Sequence, residues 1–263
     1  MGKWNAALDV SGLKDGTITV AVNGTYDLGA PAEAKKTFEL TQTKPTAIED
    51  DTSVNPSYAA SGAGVEVEVT ATFDKGVTTP TGSTLDTAAI NWTAHAGTKT
   101  QWVGMVNVES VADSVKSLAL TLKGFQDAAG NTGVEYRLDN ALAITPTIAF
   151  ETINDVTGPT TATINGTSIR FDQGDKIEIK AVDDYYSEVL GSATVLDDGT
   201  WTVDLDLTTL KDEEITVYAN GTNSLSAIAD EMSTTFNYSS TTALVVPNYW
   251  ESDSSELPSQ KAA

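Results

Sequence analysis

Carboxylate and amide side chains gather in several turn-like stretches of this sequence, and Ca²⁺ prefers oxygen ligands of this kind. The segment Asp127-Ala128-Ala129-Gly130-Asn131 places a carboxylate and an amide oxygen on one tight turn. Calcium takes about six to eight oxygen ligands, so donors from more than one segment must converge. An Asx turn or a solvated loop explains the same residues without a metal. The sequence predicts calcium as a candidate cofactor, with these candidate ligands near the ends of domains: Asp50, Asp51, Asp127, Asn131 and Asp155.

Aromatic side chains offer a second chemistry, because exposed rings stack on sugars and peptides. Trp102 and the adjacent pair Tyr185 and Tyr186 are the candidates for such a ligand site. Neighbouring residues of a strand face opposite ways, which favours exposure within the tyrosine pair. Core or edge packing is the alternative for Trp102. A glycan or a peptide is the partner that this site would bind.

Catalytic groups are sparse. The chain has no cysteine, which excludes a thiol nucleophile, a thiolate metal site and a disulfide framework. Its one histidine, His95, stands in a stretch that is typical of an exposed hairpin loop. A glycosidase that relies on two carboxylates would need them about 5 to 9.5 Å apart in a cleft, and no pair stands out. We therefore predict a protein that is not an enzyme.

The charge balance argues against two classes of partner. The chain carries 37 acidic and 15 basic residues, which gives a formal net charge of -22. Such a field repels phosphate backbones and anionic lipids. No apolar run approaches the roughly 18 to 20 residues that span a bilayer. We expect neither nucleic acid nor membrane insertion.

The elements that must position these residues are strands. Thr, Val and Gly are abundant, and alternation of apolar and polar side chains recurs in short segments separated by turn residues. The clearest such segment is Val65 to Phe73, and Trp4 to Val10 and Thr17 to Val22 alternate as well. This pattern predicts an all-β protein built from β-sandwiches.

A block of sequence headed by tryptophan occurs twice without a gap. Gly2-Lys3-Trp4 runs on to Asn23-Gly24-Thr25, and Gly199-Thr200-Trp201 runs on to Asn220-Gly221-Thr222. Repetition at this level marks a structural unit, so Trp4 and Trp201 are expected in equivalent core positions. The later copy is preceded by further strand segments, whereas the first copy is not. The first unit is therefore expected to be incomplete.

These patterns divide the chain into four parts. We predict the closing part of a sandwich at 1–43, two sandwiches at 44–144 and 145–238, and a polar tail or linker at 239–263. The tail is low in apolar residues, which is typical of a disordered end.

The block around Trp201, with Leu210-Lys211-Asp212 and Ile215-Thr216-Val217 after it, resembles the latter half of bacterial Ig-like repeats in giant cell-surface adhesins of the repeats-in-toxin type. The copy at Gly2-Lys3-Trp4 resembles it more closely. Residues Gly124 to Thr132 are similar to the end of a different bacterial Ig-like variety. At Asn220 to Leu225 the chain departs from the family, which has an Asp-rich turn there.

This resemblance implies tandem Ig-like modules on the outer surface of a bacterium, stiffened by calcium, which extend an adhesive tip away from the cell and serve adhesion and biofilm formation. Neighbouring Ig-like modules would be the partners. Two alternatives stay open: a module that itself binds a glycan or peptide, and a phage virion or filament subunit that accepts strands from a neighbour.

Overall fold

The computed structural model describes residues 4–24, 32–94, 97, 99–158 and 160–240. Nineteen strands and one 3-10 turn, Glu49–Asp51, form the regular structure of these residues. In chain order the strands are β1 (Gly16–Gly24), β2 (Ala32–Leu40), β3 (Ser53–Asn55), β4 (Tyr58–Ala59), β5 (Glu66–Thr72), β6 (Thr84–Leu85), β7 (Ala88–Ala89), β8 (Asn91–Ala94), β9 (Gln101–Asn107), β10 (Ser117–Leu122), β11 (Tyr136–Ile144), β12 (Thr147–Phe150), β13 (Val156–Thr157), β14 (Thr161–Ile169), β15 (Lys176–Val182), β16 (Glu188–Thr194), β17 (Thr200–Asp206), β18 (Glu213–Gly221) and β19 (Met232–Ser239). The prediction of an all-β protein is confirmed.

The first element is a two-stranded antiparallel sheet, the N-terminal hairpin, formed by β1 and β2. Its register pairs Ile18 with Phe38 and Val20 with Lys36. Every second residue of β1 is half-buried and the others are exposed, as the alternating sequence predicts. One face of this small sheet is therefore apolar.

The strand predicted at Trp4 to Val10 is not formed: the structure describes these residues, and they take no strand conformation. In the later copy of the repeat the equivalent residues form β17, which pairs with β14. Backbone N–H and C=O groups form a strand only beside a partner. Within the described residues nothing equivalent to β14 lies next to Trp4, and its side chain is 70% exposed. The expectation that Trp4 is a core residue is wrong for this chain.

The middle sandwich, β3 to β11, has two sheets with the strand orders β3-β5-β9-β8 and β4-β11-β10-β6-β7. The alternating β5 turns Val67, Val69 and Ala71 inward, and β10 places its leucines opposite. Between the sheets Phe73 and Phe125 lie with ring centroids 4.6 Å apart. A pair of packed, mostly antiparallel sheets with this strand order is an Ig-like sandwich.

The C-terminal sandwich, β12 to β19, has the orders β12-β14-β17 and β13-β19-β18-β15-β16. Trp201 is 1% exposed and meets Phe150 edge to face, with ring centroids 5.7 Å apart. Its cross-strand neighbour is Gly166, where a Cβ would stand 2.2 Å from the indole ring. Only glycine leaves room for this ring. The prediction that Trp201 is a core residue is confirmed.

By their contacts the residues fall into two compact units. The first comprises the described residues up to Thr147 together with Ile169–Asp175 and Thr222–Asp230. The second comprises Ile148–Ser168, Lys176–Gly221 and the described residues from Glu231 on. The loops that follow β14 and β18 are thus counted with the first unit. Among the described residues there is no helix with the length and apolar character that a membrane crossing requires.

Candidate functional site

Three turns are closed by the same pattern, in which a buried side-chain oxygen accepts two backbone N–H groups. Asp127 Oδ1 accepts the N–H of Ala129 at 3.0 Å and that of Asn131 at 2.9 Å. Asp183 Oδ1 and Asn223 Oδ1 likewise accept the N–H groups two and four residues further on, at 2.8–3.0 Å. The three residues are 6%, 3% and 5% exposed. Because an amide oxygen serves as well as a carboxylate, the turn requires an acceptor rather than a charge.

The carboxylate of Asp127 is surrounded by donors on both oxygens. Its Oδ2 accepts Asn131 Nδ2 at 2.9 Å and lies 3.9 Å from Lys75 Nζ. The hydrogen bond from the Asn131 side chain lowers the pKa of Asp127, aided by the backbone N–H groups, although burial acts to raise it. Of the candidate calcium ligands, the structure brings Asp127 and Asn131 together, and it engages them in an Asx-type turn.

The other candidate calcium ligands lie elsewhere on the surface. Asp50 and Asp51 are exposed on the 3-10 turn, and neither is hydrogen-bonded to the Asp127 turn. Asp155 is exposed, and its Oδ1 accepts the backbone N–H of Asn237 at 2.9 Å. In the part of the chain that the structure describes, no three acidic or histidine side chains are grouped as metal ligands. Calcium binding stays a prediction.

The segment that leads from the N-terminal hairpin into the middle sandwich is hydrogen-bonded to residues on both sides of it in the chain. On the sandwich side, Asn131 Nδ2 donates to Thr41 O at 2.9 Å and Lys75 Nζ donates to Thr43 O at 2.8 Å. On the hairpin side, Gln42 Nε2 donates to Val10 O at 3.0 Å. The segment 41–43 is therefore a hydrogen-bonded connection within the first unit.

A repeated carboxylate anchors the exit from each copy of the repeat. Asp15 accepts the backbone N–H groups of Gln42 at 2.6 Å and Thr43 at 3.0 Å, and its pKa is lowered by hydrogen bonds from Thr43 first and Gln42 next. In the second copy Asp212 accepts the N–H of Ser240 at 2.9 Å and its hydroxyl at 3.1 Å. Asp15 and Asp212 align in the repeat, so the anchor belongs to the unit itself.

Sequence reasoning missed a polar network around Arg170, one of two arginines in the chain. The Arg170 side chain is 8% exposed, and its guanidinium donates to Val115 O at 3.0 Å and lies 3.6 Å from a carboxylate oxygen of Asp113. Next to it, Lys116 forms an ion pair with Asp172, which lowers the pKa of that carboxyl. A guanidinium that is mostly buried needs several acceptors, and these lie far apart in sequence. The only feature of the sequence that could have pointed to this network is that arginine is so rare in the chain.

The aromatic candidates belong to different compact units. Trp102 is 6% exposed and belongs to the core of the middle sandwich, which corrects its assignment as a ligand-binding residue. It sits in β9, where alternation turns it inward. Tyr185 and Tyr186 are 70% and 89% exposed in the turn after β15, in the second unit. His95 lies outside the described residues.

No family model and no curated protein matches the chain. Several solved structures are similar. A tetra-tandem repeat from the extending region of a large adhesion protein matches 88% of this chain at 18% identity and a TM-score of 0.33, and the match spans 59% of that chain. The D00-D0 domain of intimin matches 71% of this chain and 96% of its own at 15% identity and 0.34. Fibronectin(III)-like modules of Clostridium thermocellum CbhA match 72% of this chain and 95% of their own, at 12% identity and a TM-score of 0.32. At these levels the likeness transfers no activity.

Proposed function

We propose that the chain is an extender segment of a bacterial surface adhesin, a spacer made of Ig-like modules that does no chemistry of its own. The observation that carries this proposal is the repeated exit anchor, Asp15 and Asp212, together with a connecting segment that is hydrogen-bonded to residues before and after it. A spacer transmits position only if its connections are ordered. A hydrogen-bonded connection reduces the freedom of the linker, which a Gly/Ser-rich segment would not.

Distance measurements between spin labels test the order of this connection. The chain has no cysteine, so single cysteines at the exposed positions Thr19 and Glu66, both in the first unit, give a clean pair. We expect a narrow distance distribution that Asp15→Ala broadens. The control is Asp9→Ala, because Asp9 accepts only a local bond from Ser11 in its own turn. A distribution as broad in the parent as in Asp15→Ala would contradict an ordered extender.

Calcium stiffening is a separate part of the proposal. A ligand of the native state raises the melting temperature, by an amount that grows with its concentration above Kd. Melting curves in EGTA and in millimolar Ca²⁺ decide this part, and Asp127→Asn shows whether the Asp127 turn is involved. A melting temperature that calcium leaves unchanged removes calcium from the proposal and leaves the modular spacer.

The exposure of Tyr185 and Tyr186 favours a second candidate function, a module that binds a glycan or peptide. Glycan and peptide arrays probed with the chain and with the Tyr185→Ser, Tyr186→Ser double variant distinguish the two functions. A spacer is not retained on any spot. Retention that the double variant loses would replace the extender with a binding module.

A further inference from the structure

The N-terminal hairpin presents an uncovered apolar face. Ile18, Val20 and Val22 of β1 lie on it with Phe38 of β2. Val20, Val22 and Phe38 border, together with Trp4, an open cleft of about 520 Å³. Trp4 is 70% exposed and Phe38 41% exposed. Large apolar patches of this kind mark surfaces that are covered by a partner.

The second copy of the repeat shows what the same residues do when they are covered. In both copies the central pair has the same register, Ile18 with Phe38 and Ile215 with Phe236. In the C-terminal sandwich Ile215 is 0% exposed and Phe236 3% exposed. Trp201, which aligns with Trp4, is 1% exposed. Ile18, Phe38 and Trp4 thus each have a buried counterpart in the C-terminal sandwich.

The strands that cover the second copy are known. β15 pairs with the edge of β18 that β19 does not occupy, for example Ala181 with Val217, and β14 pairs with β17. Among the described residues the corresponding edge of β1 has no strand beside it, since β1 pairs with β2 alone. An open strand edge next to an apolar face is an acceptor for further strands.

We propose that this face binds one kind of partner, the front half of an Ig-like unit with the strand pattern of β12 to β16. The internal repeat specifies that partner: apolar alternation like that of β15, which inserts Ile177, Ile179 and Ala181, and a glycine where Gly166 accommodates the tryptophan. The hairpin differs from the second copy at one position of the pairing, because Lys36 lies opposite Val20 whereas Thr234 lies opposite the equivalent Val217. A lysine stem can cover apolar surface while its ammonium group reaches water. The proposal is independent of the adhesin role.

A fusion tests this directly on the full chain. Residues 145–198 are added in front of Gly2, so that Asp198 precedes Gly2-Lys3-Trp4 as it precedes Gly199-Thr200-Trp201. Hydrogen exchange should show the amides of β1 at least tenfold slower to exchange than in the unextended chain. Trp4→Ala should leave the stability of the unextended chain unchanged. In the fusion it should lower the equilibrium constant for folding of the completed first unit by about a hundredfold or more.

The control fusion carries Ile179→Asp in the added copy only, which puts a charge into the new core. It should return β1 exchange to the rate of the unextended chain. Protection that persists in this control, or no gain in the parent fusion, overturns the proposal. Sedimentation of the unextended chain tests one further alternative. A dimer or longer assembly that Ile18→Asp dissociates would show that the apolar face binds a second copy of the chain, and this result would also overturn the proposal. None of these results bears on the distance distributions that test the extender.

Discussion

Asp127 and Asn223 occupy the same place in two turns, so the chain contains its own comparison of a carboxylate with an amide. In Asp127→Asn the two backbone bonds to Oδ1 can remain, while the bond from Asn131 Nδ2 and the charge pair with Lys75 are lost. Asp127→Ala leaves the N–H groups of Ala129 and Asn131 without an acceptor. We expect Asp127→Asn to melt much nearer the parent than Asp127→Ala does in calorimetry. Equal losses would mean that the negative charge is what the turn requires.

Carboxyl groups also set the response of stability to acid. The folded-state pKa of Asp127 is lowered by the Asn131 side chain first. Burial acts to raise the pKa of Asp183, but N–H donors such as that of Lys211 bring it down on balance. A lowered folded pKa means that the unfolded state binds more protons, so the contribution is full above the unfolded pKa of about 3.9 and is lost as pH falls through the folded pKa.

We therefore expect the urea midpoint to hold from pH 7 to pH 5 and to fall below about pH 4. Asp127→Asn removes one of these titrating groups and should flatten the fall. An acid loss as steep in this variant as in the parent would show that Asp127 does not contribute.

At the scale of the elements, the pairing of β14 with β17 requires a residue without a side chain at position 166, opposite Trp201. A Cβ at Gly166 would stand 2.2 Å from the ring of Trp201 and 2.3 Å from Ala149 O. We expect Gly166→Ala to destabilise the C-terminal sandwich by about 1 to 3 kcal/mol or more, the cost of overpacking a core. Gly12→Ala is the control, since a Cβ there meets nothing within 4 Å. Chemical denaturation measures both, and similar effects at the two sites would contradict the steric argument.

Strands with strict alternation could be predicted from the sequence, and β5, β10, β14 and β15 are examples. β11 could not be predicted in this way, because its register with β10 shifts between Leu118 and Leu120. Asp139 and Asn140 interrupt its apolar pattern there, and Asn140 has a φ of 53°. A bulge of this kind removes the period of two on which the prediction depends.

The candidate site was only partly predictable for a related reason. The turn at Asp127 is local, so its donors and acceptor lie within five residues of sequence. The Arg170 network joins residues about 55 positions apart, and the sequence contains no pattern for such a contact. The exposure of Trp4 also depends on what lies across the sheet rather than on its own neighbours in sequence.

At the scale of the whole molecule, two compact units predict unfolding that is not two-state. Trp201→Ala should lower the stability of the transition to which it belongs by about 3 to 5 kcal/mol, the usual cost of removing a large buried aromatic. Trp4→Ala should change neither transition by more than about 0.5 kcal/mol, because its ring is exposed. Calorimetry with both variants checks this. A clear loss in Trp4→Ala would show that the ring is already covered in this chain.

Each sandwich contains one short parallel pair among its antiparallel strands, β4 beside β11 and β13 beside β19. Such a pair joins an early strand to the last one, as Val156 joins Tyr238. When the chain is pulled from both sides of a sandwich, these two strands are drawn in opposite directions along their own length. Their hydrogen bonds then bear the load together in shear, whereas those of the N-terminal hairpin open one after another. The parallel pairs give each sandwich a mechanical clamp.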